Sequence, residues 1–469
     1  MATPSPPSPL ADILRAVVRR YRLPDTPELI AGQMRNGPAQ ALAVAVEQAR
    51  LALARGEAPG EETKRRFLDA LCRLIRDAMR EQGGDPVFQA MVLRRRAARV
   101  REYASLAAHA QRDRRRMHAA VNAVAHPARR QSADAADLRE ALAGLRALAA
   151  SGSRSALREA AGRLAAMPET AGDGPLAQGL ARLREAPELD RLQRLESLMS
   201  DELVREYQAL WGRQGPVSGS AGAAAQGVAA QRRGARVEAL AARALRALAL
   251  RLETAERGRA AYRVATSMRV PATIPGSPDR AKSEWDAVLL RRPATADETE
   301  AWEVCLLVEA KASADAAATD LPRLLRGLRL LAQADERETY AFETREGVAR
   351  LRGASLHALT ADEARLAETV LYCCDAPADA APRLLSAASR MQLLSAPASL
   401  AFASALARAP RADEGLLEPV WRQLLTSPQW GGVLSQYPML RLARGLMVHA
   451  DDLLAAAGGA ASCGSRAGE

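Results

Sequence analysis

The sequence predicts a mostly α-helical protein with one α/β domain embedded in it, a small mixed sheet flanked by helices. Apolar residues reach 48% of the chain while aromatics reach only 3%. With Ala, Leu, Arg and Glu dominant, this is the composition of helices packed through small side chains. Helical patterning runs almost unbroken from Ala11 to about Trp211 and returns over 376–460. Between these stretches lies the only cluster of strand-like segments.

Taken in order, residues 1–10 are Pro- and Ser-rich and are expected to be a disordered tail. Residues 11–211 read as one or more helical domains. Leu138, Leu142, Leu145 and Leu148 fall on one helix face there. Residues 212–227 (GRQGPVSGSAGAAAQG) read as a linker. The α/β domain is expected over 228–375. A helix over about 232–251 opens it, and strands follow at Tyr262–Val270, Glu284–Leu290, Trp302–Glu309 and Thr339–Glu343. A weaker strand is read at Ser355–Leu359, and a helix over Thr319–Ala334 separates the third strand from the fourth. Residues 376–460 read as a C-terminal helical region broken by prolines, and 461–469 as a second disordered tail.

The formal net charge is +11. It suits a polyanion partner, nucleic acid first, although an arginine-rich chain also drifts basic without one. The arginines at 94–96, 99 and 101, and again at 112–116, are either a track for a phosphate backbone or a solvated helix face. Five cysteines without a C-x-x-C pair argue for a reducing, cytoplasmic setting. The five histidines lack zinc-ligand spacing. The N-terminus lacks the pattern of a signal peptide, and the longest uncharged run, Met391–Ala407, is short for a membrane span. No membrane association is expected.

Chemistry concentrates in two strands. Glu284 and Asp286 share a face of one, as do Glu309 and Lys311 at the end of the next. If the strands are neighbours, Asp286 and Glu309 meet at one end of the sheet. Two adjacent carboxylates repel unless a cation sits between them, and a hard divalent ion, Mg²⁺ by default, suits oxygen ligands. Lys311 is one of only three lysines among 66 Lys and Arg side chains. An amine whose pKa can fall is able to orient or deprotonate a water, which a guanidinium cannot do.

Asp286 followed by Glu309-Ala310-Lys311 after an apolar strand resembles the PD-(D/E)xK nuclease superfamily, which includes restriction endonucleases and Holliday-junction resolvases. Its core has the same α-β-β-β-α-β order. The run Arg232-Arg233-Gly234-Ala235-Arg236-Val237-Glu238 is similar to the basic-glycine start and helix acid of many members. The resemblance covers about 228–360. It departs from the pattern in having Trp285 where a proline precedes the Asp, and in a polar loop, Arg291–Ala301, between the second and third strands. The resemblance implies a restriction-endonuclease-like fold and a Mg²⁺-dependent deoxyribonuclease, with Mn²⁺ able to substitute. Asp286 and Glu309 would bind the metal, the Ala310 carbonyl assisting, and Glu238 would complete the site directly or through water. Lys311 would orient the attacking water. Glu284 is a further ligand or a surface acid. Arg232, Arg233, Arg323 and Arg326 are candidate DNA contacts.

The competing expectation is a non-catalytic interaction, assembly or DNA-binding protein with a degenerate nuclease-like domain. Its alanine-rich helices would pack against a protein partner or a second copy. Glycine-rich nucleotide motifs and a (β/α)₈ pattern are absent from the sequence, which argues against a small-molecule enzyme. Cys373, Cys374 and His357 read as structural. Trp421, Trp430 and Tyr437 read as a small core or a base-stacking surface.

Overall fold

The computed structural model describes residues 9–25, 37–126, 135–170, 174–213, 215, 220–294, 301–359, 361–379, 382–409 and 412–458. The expected tails therefore lie outside the described residues except for 9–10, as do most of the 291–301 loop and Cys463. The chain forms two compact units that interleave along the sequence. One combines 1–74, 217–393 and 417–469, and the other combines 75–216 and 394–416.

The first unit carries a seven-stranded mixed sheet in the order β5-β4-β1-β2-β3-β6-β7. The strands are β1 (Ala260–Arg269), β2 (Glu284–Pro293), β3 (Glu303–Ala310), β4 (Thr339–Thr344), β5 (Gly347–Arg352), β6 (Val370–Cys374) and β7 (Met447–His449). β1, β2 and β3 form an antiparallel meander. β6 then runs parallel to β3, and β7 parallel to β6. The β4–β5 hairpin joins the outer edge at the Arg269–Glu343 pair.

Helices cover both faces of this sheet. A 35-residue helix, Ala221–Ala255, lays Leu245, Leu248 and Leu252 against Val264, Ala287, Leu289 and Val308. The Ser220 side chain caps its start by accepting from Ala223 N. On the opposite face, the helix Ala314–Leu331 packs Leu321, Leu324 and Leu328 against Trp285, Val288 and Leu307. The Ser313 side chain caps it by accepting from Ala316 N. The apolar strands β2 and β3 are covered on both sides, as their near-continuous burial requires.

Several local expectations change. Residues 221–227 are not linker but the first turns of the long helix, because alanines after a capping serine favour helix despite two glycines. The weak strand at Ser355–Leu359 is part of a short helix, Gly353–His357. The strand that follows the second core helix beside β3 is β6, not the Thr339–Glu343 segment, which belongs to the outer hairpin. Within 376–460, β7 interrupts the helices. Trp421, Trp430 and Tyr437 are buried, as core residues are.

The second unit is all helix among its described residues. Leu138, Leu142 and Leu145 share one core with Leu157, Leu164, Leu180 and Leu192. A neighbouring core joins Leu93, Val100, Val204 and Leu210. The arginines at 94–96, 99, 101 and 112–116 are all exposed. Arg99 pairs with Asp201 at 2.7 Å and Arg116 with Glu188 at 3.0 Å. Among the described residues, no helix is long and apolar enough to cross a membrane.

Candidate active site at the end of the sheet

β2 and β3 are neighbours, and their register pairs Ala287 with Val308. Asp286 and Glu309 therefore meet at one sheet end. Ala310 N donates to Asp286 Oδ2 at 2.8 Å, and Asp286 N approaches Glu309 Oε1 at 3.4 Å. β6 fixes the end of β3 from the other side, where Lys311 N donates to the Cys373 carbonyl at 2.8 Å.

Glu309 is 0% exposed. Burial pushes its carboxyl up to about 8; the charge of Asp286 adds to the rise, and Lys282 and Lys311 pull against it. The Lys311 ammonium lies 3.3 Å from Glu309 Oε2 and 3.4 Å from Asp320 Oδ2. Burial works to lower its pKa, but Glu309, Asp320 and Asp286 together hold it above the usual lysine value. The surrounding carboxylates thus favour the charged ammonium, the form suited to orienting a water or stabilising charge.

Glu238 sits half-buried on the long helix. Burial raises its carboxyl pKa, the charges of Asp286 and Glu284 add to the rise, and Arg345 and Lys311 oppose it. It thus shares the electrostatic field of the cluster. Glu284 reaches across the sheet to Arg269 at 3.6 Å and is 44% exposed, the setting of a surface acid. Arg232 and Arg233 are exposed on the same helix as Glu238, one to two turns earlier. Arg323 is exposed on the Ala314–Leu331 helix, whereas the Arg326 Nε donates to the Arg280 carbonyl at 2.9 Å.

Four residues at the site lie outside the motif. Lys282, just before β2, places its ammonium 2.5 Å from Glu309 Oε2. Its signal was present in the sequence, since lysine is so rare here. Asp320 holds Lys311 and accepts from Tyr372 Oη at 3.2 Å. Tyr372 comes from β6, a strand the sequence pattern does not reveal. Arg345 is carried on the β4–β5 turn. Glu346 pins that turn by accepting from Thr266 N and Oγ1 at 2.8 and 2.7 Å.

Among the described residues, no three His, Cys, Asp or Glu side chains form a group that could hold a metal. The structure brings together two carboxylates here, those of Asp286 and Glu309. Asp286 Oδ1 makes no hydrogen bond among the described residues, and Glu309 Oε1 has only the long approach from Asp286 N. Mg²⁺ keeps several waters and is often bound by one or two carboxylates, so this set fits it. It does not fit a zinc site, which takes four protein ligands or three and a water. No protein-family model, curated protein or solved structure matches the chain.

Proposed function

We propose that the sheet-end cluster is the active site of a Mg²⁺-dependent nuclease of the PD-(D/E)xK type, hydrolysing DNA phosphodiester bonds. The observation that carries this reading is the meeting of Asp286, Glu309 and Lys311 at one sheet end. They stand on the β1-β2-β3 meander that follows the Ala221–Ala255 helix and precedes the Ala314–Leu331 helix, and β6 lies parallel to β3 after the intervening β4–β5 hairpin and two short helices. Asp286 Oδ1, Glu309 Oε1 and the Ala310 carbonyl would hold the ion, which when bound lowers the pKa of its water and offsets phosphate charge.

The remaining work falls to the chain. Lys311, 17% exposed, presents a fixed ammonium to the attacking water and to the oxygens that gain charge in the transition state. Asp320 holds that ammonium from the helix side, and Tyr372 in turn holds Asp320. Glu238 would reach the metal shell through water. Arg345, Arg232, Arg233 and Arg323 supply positive charge where a DNA backbone would approach. The setting we assign is the reducing cytoplasm, the one that five cysteines without a C-x-x-C pair favour.

A second reading has its own observation. Two ammoniums already face Glu309 Oε2, which also suits a degenerate nuclease-like domain that binds DNA or a protein without cutting. Cleavage of single-stranded, duplex and branched DNAs with Mg²⁺ or Mn²⁺, beside Lys311→Ala and Asp286→Asn, separates the two. Cutting abolished by both substitutions is the expected result. Intact DNA throughout, with binding retained, would favour the second reading.

A further inference from the structure

Two of the chain's three lysines converge on one carboxylate oxygen, and they are placed differently. Lys282 approaches Glu309 Oε2 to 2.5 Å with a side chain only 6% exposed. Lys311 stands off at 3.3 Å and divides itself between Glu309 and Asp320. Lys282 is too deep to meet a substrate, and its depth is built in. The helix Ala314–Leu331 crosses it at Gly327, where a Cβ would lie 2.7 Å from Lys282 Cβ and 3.2 Å from its backbone N. On another side, the Lys282 ammonium lies 5.8 Å from the centre of the Trp285 ring. A compact ammonium on a slender stem suits this slot, and a planar guanidinium is the bulkier head.

Both ammoniums donate to one oxygen, and the nearer one both weakens that oxygen's pull on the other and repels it as a like charge. We propose that Lys282 is a positioning residue: it occupies Glu309 Oε2 from within the fold and so limits Lys311 to a long 3.3 Å bond to that oxygen, leaving its ammonium shared with Asp320. The part played toward substrate rests on the nuclease reading above; the placement of Lys311 does not. Lys282 thereby separates two tasks that one lysine would otherwise combine, holding the buried acid and serving the reaction.

The chain's lysine content makes the test direct. Protein labelled with ¹³C-lysine gives only three sets of ε-methylene signals, with Lys282 and Lys311 assigned by their own substitutions. In full-length Lys282→Met, Lys311 is expected to fall onto Glu309, so its ε-methylene signal shifts and its order parameter rises. Cleavage kcat should drop about tenfold or more, while KM for DNA and the Mg²⁺ affinity measured by calorimetry without DNA stay within about threefold.

An unmoved Lys311 signal in the folded variant, or a retained kcat, would overturn the proposal and leave Lys282 as core packing. Loss of Mg²⁺ binding together with kcat would also overturn it, because Lys282 would then be serving the metal ligand. If Lys282→Met does not fold, Lys282→Leu, which likewise leaves Glu309 Oε2 without its nearer donor, is read by the same criteria. If wild type cuts no DNA, the nuclease reading fails by itself, and the Lys311 signal still decides where Lys282 holds it.

Discussion

Asp113 in the helical unit and Glu309 in the sheet unit are both nearly sealed carboxylates beside basic partners, yet their protons behave oppositely. Asp113, 1% exposed, meets Arg191 through two bonds of 2.8 Å. Those bonds outweigh burial and hold its carboxyl below the usual range. Arg191 is itself 36% exposed, so Asp113 is covered largely by its partner and lies close to water. Glu309 has two ammoniums on one oxygen, a carboxylate neighbour, and depth. Burial and Asp286 win, and the carboxyl rises to about 8. A planar fork matched to a carboxylate makes a structural pair. Two point charges crowded with a second acid make an unrelieved one, the arrangement that functional sites more often show.

The sharpest way to break this contrast is to remove a member of each group. Lys311→Ala and Asp286→Asn are expected to lower cleavage by about 10²–10³ while leaving thermal stability nearly unchanged. Asp113→Asn should do the reverse, costing about 1–3 kcal/mol in urea unfolding of the helical unit with kcat intact. Equal stability losses at both places would mean that Glu309 and its neighbours are simply another ion-pair network.

The next effect is one of pH. Asp113 has a folded pKa below its unfolded value of about 3.9. Its stabilisation is therefore present above that value and lost as acid takes the pH down through the folded pKa. Glu309 has a folded pKa raised to about 8 against about 4.3 unfolded. The folded state keeps a proton that the unfolded chain has released, so stability falls as pH rises through that window. Urea melts of Glu309→Gln and Asp113→Asn against wild type should show opposite slopes, the first difference growing toward pH 8 and the second shrinking as the pH falls below about 4. Parallel slopes would remove the distinction between the two carboxyls.

Much of the candidate site is legible in the sequence because its chemistry is carried by scarce residues on well-patterned strands. β2 and β3 announce themselves through β-branched and apolar runs, and Lys311 through rarity. Lys282 carries the same rarity but sits in a connection outside any element, so pattern alone gives it no neighbours. β6 is five apolar residues directly after a short helix, a run that periodicity cannot assign. Tyr372, and with it the support of Asp320, stayed hidden for that reason. The interleaved units are the least legible feature. Residues 394–416 join 75–216 across the whole of 217–393, and only packing reveals such a partnership.

The smallest expected effect concerns Arg345, and it sharpens the contrast from the substrate's side. The β4–β5 turn is tied to β1 at Thr266, through Arg345 N to its carbonyl at 2.9 Å and through Glu346 to its N and Oγ1. The next residue, Ser267, is held at φ 50°, a conformation uncommon outside glycine. Thr266 pairs with Ala287 and Met268 with Trp285, so Ser267 stands across from Asp286. The turn thus delivers an exposed guanidinium, without an ion-pair partner among the described residues, to the acidic cluster, where its charge opposes the rise of the Glu238 carboxyl. Arg191 spends its fork on Asp113; Arg345 keeps its fork unspent. Arg345→Ala should raise KM for DNA by less than about tenfold, leave kcat near wild type, and reduce the salt slope of binding by about 1. A fall in kcat with unchanged KM would instead place Arg345 among the groups that act in the transition state, and the unspent fork would belong to the chemistry itself.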